Sequence, residues 1–514
     1  MIGTRSQAGQ PGDPAPWQGR SATALLAGLF LARLVSLGLY PLMDKSESRY
    51  AEVGRLMAAT GNWITPQLSE GLPFLGKPPL SFWMTASSFE LFGVGELTAR
   101  LPSLLAAAAT VALLHRLGCE LRGRSFGLLC AVVLATTLLF TALAGTVLTD
   151  PALTLSVTLS MVGAAMAIRA DAPAARLRWG LAFFAGLALS LLAKGPVGWL
   201  LTLLPLGAWA IGWRQWRTLR RVLPWGWGTA LTVALALPWY VAAEHATPGF
   251  LEYYLVGEHF QRFFVPGWEG DLYGSGHAHP LGMIWLYGLA ATLPWCIPAL
   301  GALIRLGPRD LAAEDDRPWL AYGLLWMLAP LLIFTPARNI LVTYVMPGLP
   351  GFALAASFLL TRLGERHPSA PAPWPLRRGV LLVSSLLAPT LVLASVPVLR
   401  SIARDRCQKA VVERFEDLAG FEQAELHFFG ELRSSGAFYS AGRARQIPHE
   451  NLRALEQVLG GTGNGVVVAQ SHDMARVPPE LRAQIEELDR VGRYVLLRTR
   501  TQGKSRARQL GAQR

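Results

Sequence analysis

The side chains of this sequence that could do chemistry are carboxylates placed beside fixed cations. In "MDKSESRYAEV" (Met43 to Val53), Asp44, Glu47 and Glu52 stand among Lys45 and Arg49, and Arg55 follows; "GKPPLSFW" then sets Lys77 before Pro78 and Pro79. Further along come Asp150 in "LTDP", Lys194 in "AKGP", and "GEHFQRFF", where Glu258 and Arg262 are four residues apart with His259 between them. Arg338, Asn339 and Tyr344 follow in "ARNILVTY". This set suits displacement of a phosphate leaving group: a carboxylate takes an acceptor's proton while cations neutralise the departing charge. Lysine is a compact point charge for phosphate, and arginine can hold one bidentately. The two prolines restrict the backbone, so the Lys77 ammonium can be in place before a substrate arrives.

Spacing sharpens some of these roles and leaves others open. On a helix, Glu47, Tyr50 and Gly54 share one face while Glu52 lies elsewhere. Glu47 and Asp44 are therefore expected to point into a cavity, with Glu52 paired locally. Glu258 and Arg262 are either part of the site or an ordinary helical ion pair. His259 could ligate a metal, bind phosphate, or serve as a hydrogen-bonded structural histidine. His277 and His279 in "HAH" lack a third ligand at standard spacing. Trp63, Trp268 and Tyr273 could stack on sugar rings or act as interface anchors, and Asp271 lies among them.

The elements that must position these residues are membrane spans. Of 514 residues, 52% are hydrophobic and only 16% charged, which makes a bilayer the main solvent. A span needs about 20 apolar residues. Eleven candidates lie near 22–41, 101–115, 126–147, 151–168, 179–193, 196–212, 222–242, 281–304, 318–335, 340–361 and 379–399. The run at 22–41 is too long for a typical signal peptide and is read as retained. The net charge of +13 sits largely in arginine-rich connections between spans, where it sets topology, so no nucleic-acid partner is expected. Those connections and residues 1–20 are expected to be cytoplasmic. The connections 42–100 and 243–280 and the short turns at Asp150, Lys194 and Arg338 then face outward together. "LSFWMTASSFELF" (80–92) is too short to span and reads as an interfacial helix. The transmembrane domain is placed at 21–400. From 401 to 498 the texture changes to a small α/β domain, with "AELHFFGE", "GVVVAQ" and "RYVLLRT" as strands and "NLRALEQVL" and "PELRAQIEEL" as helices. Residues 499–514 form a basic tail expected to be disordered. The four scattered cysteines indicate neither a metal knuckle nor a disulfide framework.

At these motifs the chain resembles a known family. "MDKSESRYAEVGRLMAATGNWITPQL", "GKPPLSFW", "LFGVGELTARLPS", "LAKGPVG", the stretch from "PWYVAAEH" to "GMIWLY", and "NILVTYVMPGLPGFAL" are similar to the polyprenyl-phosphate-dependent glycosyltransferases of the bacterial inner membrane. That group includes lipid A aminoarabinose transferases (ArnT-like) and relatives of protein O-mannosyltransferases. The resemblance runs from about Pro41 to Leu354 and implies a GT-C architecture: about 11–13 transmembrane helices, periplasmic juxtamembrane helices and a periplasmic α/β domain. It also implies a polyprenyl-phosphate-sugar donor and lipid A or another envelope acceptor. The N-terminus would be cytoplasmic and the active site periplasmic, in a monomer surrounded by membrane lipids.

The resemblance assigns catalysis to Asp44, Glu47 and Asp150, and donor or phosphate contacts to Lys77, Arg262, Tyr344, Arg49, Tyr50 and His259. Lys194, Glu258, Trp268, Asp271, Tyr273 and Asn339, in or beside the outward connections, are further substrate-contact candidates. Aminoarabinose transferases have "DET-RY" and "EKP", whereas this chain has Ser46 before Glu47, Asp44 two positions earlier, and Gly76 before Lys77. The change at Gly76 removes an acidic partner for a divalent metal at His259, the one cofactor in question. The rival function, a lipid or lipid-linked sugar flippase, would place ionisable sites near the bilayer midplane, often in two related halves. Here they gather at one end.

Overall fold

The computed structural model describes residues 16–265, 268, 270, 272–273, 279–307, 316–366, 378–418, 424–460 and 465–500. Among these, eight helices are long and apolar enough to cross a membrane: Gly19–Leu37, Glu96–Arg122, Thr149–Arg169, Pro173–Lys194, Trp225–Ala246, Arg317–Phe334, Val342–Glu365 and Leu386–Arg406. A ninth candidate is Met283–Ala291 with Cys296–Arg305, bent by 96° at the break between them. Arg124–Ala135 and Pro196–Gly212 are shorter apolar helices. Each of the eleven expected segments thus contains a helix, and most helices match the expected bounds to within a few residues.

Two segments differ from a simple span. The expected 126–147 span stops at Ala135 and resumes as Leu138–Leu143, and the expected 281–304 span breaks around Pro294. The two breaks supply each other's hydrogen bonds. Leu138 N donates to Leu293 O at 2.8 Å, and Trp295 Nε1 donates to Thr136 Oγ1 at 2.8 Å. Irregular backbone at membrane depth is tolerated only where protein provides such partners.

The connection after the first span folds into the helices Ser46–Thr60 and Leu80–Phe92, joined through a short hairpin of Gln67–Ser69 and Leu72–Pro73. The thirteen-residue Leu80–Phe92 helix packs between Ser46–Thr60 and Glu96–Arg122 rather than crossing. Glu96–Arg122 begins before the expected 101, which makes Arg100 part of a helix and not of a loop.

Beyond residue 406 a five-stranded sheet has the order 445–447, 426–429, 466–470, 494–499, 485–491; its first three strands are parallel and the last two antiparallel. "LHFF" and "VVVA" are buried throughout, as strands covered on both faces should be. The expected helix at "PELRAQIEEL" ends at Arg482, and Ile485–Val491 is instead a strand paired with Tyr494–Thr499. Cross-strand pairing overrides the helical preference of "EEL" there. This sheet region packs on the first connection: Tyr439 Oη accepts from Leu42 N at 2.8 Å, Lys409 Nζ meets Glu96 at 2.6 Å, and the Phe438 and Phe89 rings lie 6.0 Å apart. The tail expected at 499–514 falls, from 501 onward, outside the described residues.

Candidate active site

Lys77 sits at the mouth of a turn built to hold it. The hairpin delivers Phe74, whose ring packs edge-on against Phe82 at 6.0 Å and against Tyr273 at 4.6 Å. Gly76 lies under those rings: a Cβ there would stand 3.1 Å from Phe74 and 3.2 Å from Tyr273. A glutamate at 76 would have to push both aromatics aside, so the motif change at this position is built into the packing. Lys77 Nζ then reaches Glu258 at 2.9 Å.

Glu258 lies in a π-helical segment, Glu252–Gln261, where each turn carries an extra residue; such turns recur at functional sites. Its carboxylate receives Lys77, Arg262 Nη1 at 3.0 and 3.1 Å to its two oxygens, and Tyr253 Oη at 3.4 Å. Asn339 Nδ2 donates to Arg262 O at 2.8 Å and ties this segment to the turn after Arg317–Phe334. Burial favours the neutral acid at Glu258, but Lys77 and Arg262 outweigh it and hold the carboxyl below its ordinary value. Burial likewise works against the Lys77 ammonium, and Glu258 more than compensates, keeping Lys77 charged.

A second pair stands alongside. Asp150 is in the first turn of Thr149–Arg169, and Lys194 closes Pro173–Lys194; they meet at 2.7 Å. The following Gly195 adopts φ +72°, and a Cβ there would fall 2.4 Å from Tyr254 Oη, so both backbone conformation and space call for glycine in "KGP". Lys194 Nζ lies 4.3 Å from the centre of the Tyr344 ring, a cation–π contact. Tyr50 links the two pairs: its hydroxyl feels Lys77, Lys194, Asp150 and Arg49, and burial pushes its proton affinity up, so it remains a neutral donor. Arg49 Nη1 donates to Tyr273 O at 3.1 Å.

His259 is occupied by backbone partners among the described residues. Nδ1 lies 2.8 Å from Tyr254 O and Nε2 lies 3.3 Å from Lys194 O, so both ring nitrogens face carbonyl oxygens. Burial lowers its pKa, which keeps the ring neutral. Among the described residues no group of three histidine, cysteine or carboxylate side chains could hold a metal, and Gly76 removes the acidic neighbour. The described residues around His259 do not by themselves fit a divalent ion. His279 hydrogen-bonds Tyr287 Oη at 3.2 Å, and His277 and Asp271 lie outside the described residues.

The two carboxylates expected to point into the cavity are committed elsewhere. Glu47 forms a bidentate pair with Arg100, both distances 2.8 Å, and accepts from Met43 N at 3.1 Å. Arg100 itself is 0% exposed, donates to the carbonyls of Leu37, Tyr40 and Pro41, and stacks 3.9 Å over the Tyr40 ring. Asp44 accepts from Ser48 Oγ, Ser435 Oγ and, at 3.1 Å, Ser435 N. Both therefore anchor the first connection, one to a span and one to the sheet region. Glu52 pairs locally with Arg55 at 2.7 Å, as its position on the helix requires. Trp268 packs near Tyr253 at 5.9 Å, and Tyr273 is fixed by Leu75 N at 2.8 Å, so Tyr273 acts here as a packed support. Arg100 and Ser435 are the residues that sequence reasoning did not single out. An arginine at the start of an apolar run is a signal that was present for the first; none existed for the second.

The similarity to known proteins follows the same architecture. Residues 22–254 match the family described as dolichyl-phosphate-mannose-protein mannosyltransferase. An undecaprenyl phosphate-alpha-4-amino-4-deoxy-L-arabinose arabinosyl transferase of Shewanella sediminis is 31% identical over 64% of this chain and 58% of its own length. The protein of the same name from Pseudomonas paraeruginosa is 31% identical over 66% of this chain and 59% of its own. The chain thus spans less than two thirds of the length of the relatives it matches. The crystal structure of ArnT from Cupriavidus metallidurans bound to undecaprenyl phosphate superposes with a TM-score of 0.77 at 20% identity, covering 92% of this chain and 97% of that one. Its apo form gives 0.74 over the same shares. The resemblance in the motifs therefore extends through long aligned stretches, and the fold, a polytopic helical body followed by a small C-terminal sheet region, is that of the ArnT structures.

Proposed function

We propose that this protein is an inverting membrane glycosyltransferase. It moves a sugar from a polyprenyl-phosphate donor to an envelope acceptor, lipid A or another glycan or protein, at the periplasmic face of the bacterial inner membrane. The observation that carries this reading is the convergence of Lys77 and Arg262 on one buried anion position, with the Lys194–Asp150 pair and Tyr344 alongside. In the reaction the bond between the sugar's anomeric carbon and the donor phosphate oxygen breaks as the acceptor oxygen bonds to that carbon. The phosphate leaves with its electron pair and negative charge, and Lys77 and Arg262 stabilise that charge where it develops. Tyr50 supplies a neutral donor, and Tyr344 and Arg49 complete the wall on which the phosphate is oriented. Asp150, paired with Lys194, accepts or orients the acceptor's proton, while Asp44 and Glu47 hold the connection in shape. No step passes through a metal.

The likeness in sequence to transferases that use undecaprenyl-phosphate donors supports the donor class, and the gathering of ionisable groups at helix ends favours transfer over transport. The test uses purified protein in detergent with a lipid-linked sugar and an acceptor, where a flippase would make no new glycosidic bond. Product that forms with wild type and forms roughly 10²–10³-fold more slowly with Lys77→Ala supports the reading; lipid movement in vesicles without any product contradicts it.

A further inference from the structure

Glu258 poses a problem for the reaction just described. Its carboxylate takes two hydrogen bonds from Arg262 and one from Lys77, with a side chain only 5% exposed. These are the same two cations that a donor phosphate needs. A carboxylate and a phosphate present them with equivalent anionic oxygens, and two anions brought together at one site repel. Glu258 is not an accidental occupant: Tyr253 Oη and the π-helical register fix it from its own segment, and the Asn339 bond to Arg262 O fixes the partner arginine. Among the described residues, the other groups that face the pair include Tyr50, Tyr254, Tyr273, Tyr344 and His259.

Resting on the proposed donor class, we propose that Glu258 is a specificity-determining internal anion that competes with the carrier phosphate for Lys77 and Arg262 and so favours the sugar-bearing donor over the spent carrier. The two ligands differ in charge. The donor is a phosphodiester with one negative charge; the product is a phosphate monoester that carries about 1.5 to 2 at neutral pH, by analogy with phosphorylated side chains. Repulsion from Glu258 acts more strongly on the monoester. The site can thus engage the donor and still release the carrier, which without Glu258 would be bound too tightly to leave.

The experiment measures binding of undecaprenyl phosphate and of a sugar-linked undecaprenyl phosphodiester to purified wild type and Glu258→Gln, together with turnover. Glutamine keeps the shape and removes the charge. The expected result is about tenfold tighter binding of the monoester, equivalent to about 1.4 kcal/mol, a smaller gain for the diester, and a lower kcat limited by carrier release. Glu258→Asp, which keeps the charge, should retain the wild-type order of affinities. Thermal unfolding of each variant establishes that it is folded; should Glu258→Gln fail to fold, inhibition of Glu258→Asp by added undecaprenyl phosphate provides the comparison, and inhibition as weak as in wild type supports the proposal. Unchanged or weaker monoester binding by folded Glu258→Gln overturns the role of Glu258 while leaving the transferase reading intact. Failure of wild type and both variants to bind either lipid overturns the donor class and the inference with it.

Discussion

Four of the candidate carboxylates, Asp44, Glu47, Asp150 and Glu258, fall into two regions by their partners. Asp44 and Glu47 are bound by groups of the scaffold: serines and a backbone amide of the sheet region for one, a buried arginine for the other. Asp150 is bound by Lys194, and Glu258 by Lys77 and Arg262; the two lysines both neighbour Tyr50 and Tyr344. The difference teaches that a carboxylate's residue type and loop say little about its work. A carboxylate that holds a fully buried arginine is tied to the scaffold, whereas under the proposed reaction one that holds Lys77 and Arg262 exchanges places with another anion.

The contrast can be broken most forcefully at Arg100. Arg100→Ala leaves Glu47 buried without its partner and should cost about 3–5 kcal/mol, read as a large loss of thermal stability or of folded protein in the membrane. Retention of wild-type stability would show that the pair is not the anchor described. Lys77→Ala should do the reverse: transfer falls roughly 10²–10³-fold, by analogy with removing one donor from an anion-stabilising site, with little change in unfolding temperature. A mutant that unfolds instead would place Lys77 with the scaffold.

Ser435→Ala sharpens the comparison on the scaffold side. Loss of its hydroxyl bond to Asp44 should cost about 1 kcal/mol, while transfer stays near wild type at a temperature where the variant is folded. The smallest effect concerns pH. Burial outweighs the donors at Asp44 and raises its carboxyl from 3.8, so the folded state binds this proton more tightly than the unfolded state. The group's stabilising contribution is then full below about pH 3.8 and is lost as pH rises through the raised folded value. Asp44→Asn should flatten that part of the stability profile measured by thermal unfolding between acid and neutral pH.

Much of the body was legible from the sequence because span length and apolar runs are local properties. The helices at 149–169 and 173–194 and the turn that carries Lys194 are cases where composition alone sufficed. The breaks at 136–137 and 292–295 were not legible, because each is satisfied by the other across more than 150 residues. The apolar run begins one residue after Arg100, which by sequence puts it in a loop; only the fold shows three carbonyls and Glu47 converging on it. The partnership of Asp44 with Ser435 spans 391 residues, and neither residue's surroundings in the chain announce the other. Lys77, Glu258 and Arg262 were found because unusual charges beside apolar spans demand partners; that Glu258 would occupy the cations' shared position was not visible from spacing.

The most direct test of the central claim, that the working carboxylate lies with the Lys194 pair and not in the first connection, is the transfer rate of purified Asp150→Asn against Asp44→Asn with a lipid-linked sugar donor. The account predicts a loss of about 10²-fold or more for Asp150→Asn, the scale of general acid–base catalysis, and a rate within a few-fold of wild type for Asp44→Asn. Abolished transfer in folded Asp44→Asn with near-normal transfer in Asp150→Asn would contradict it.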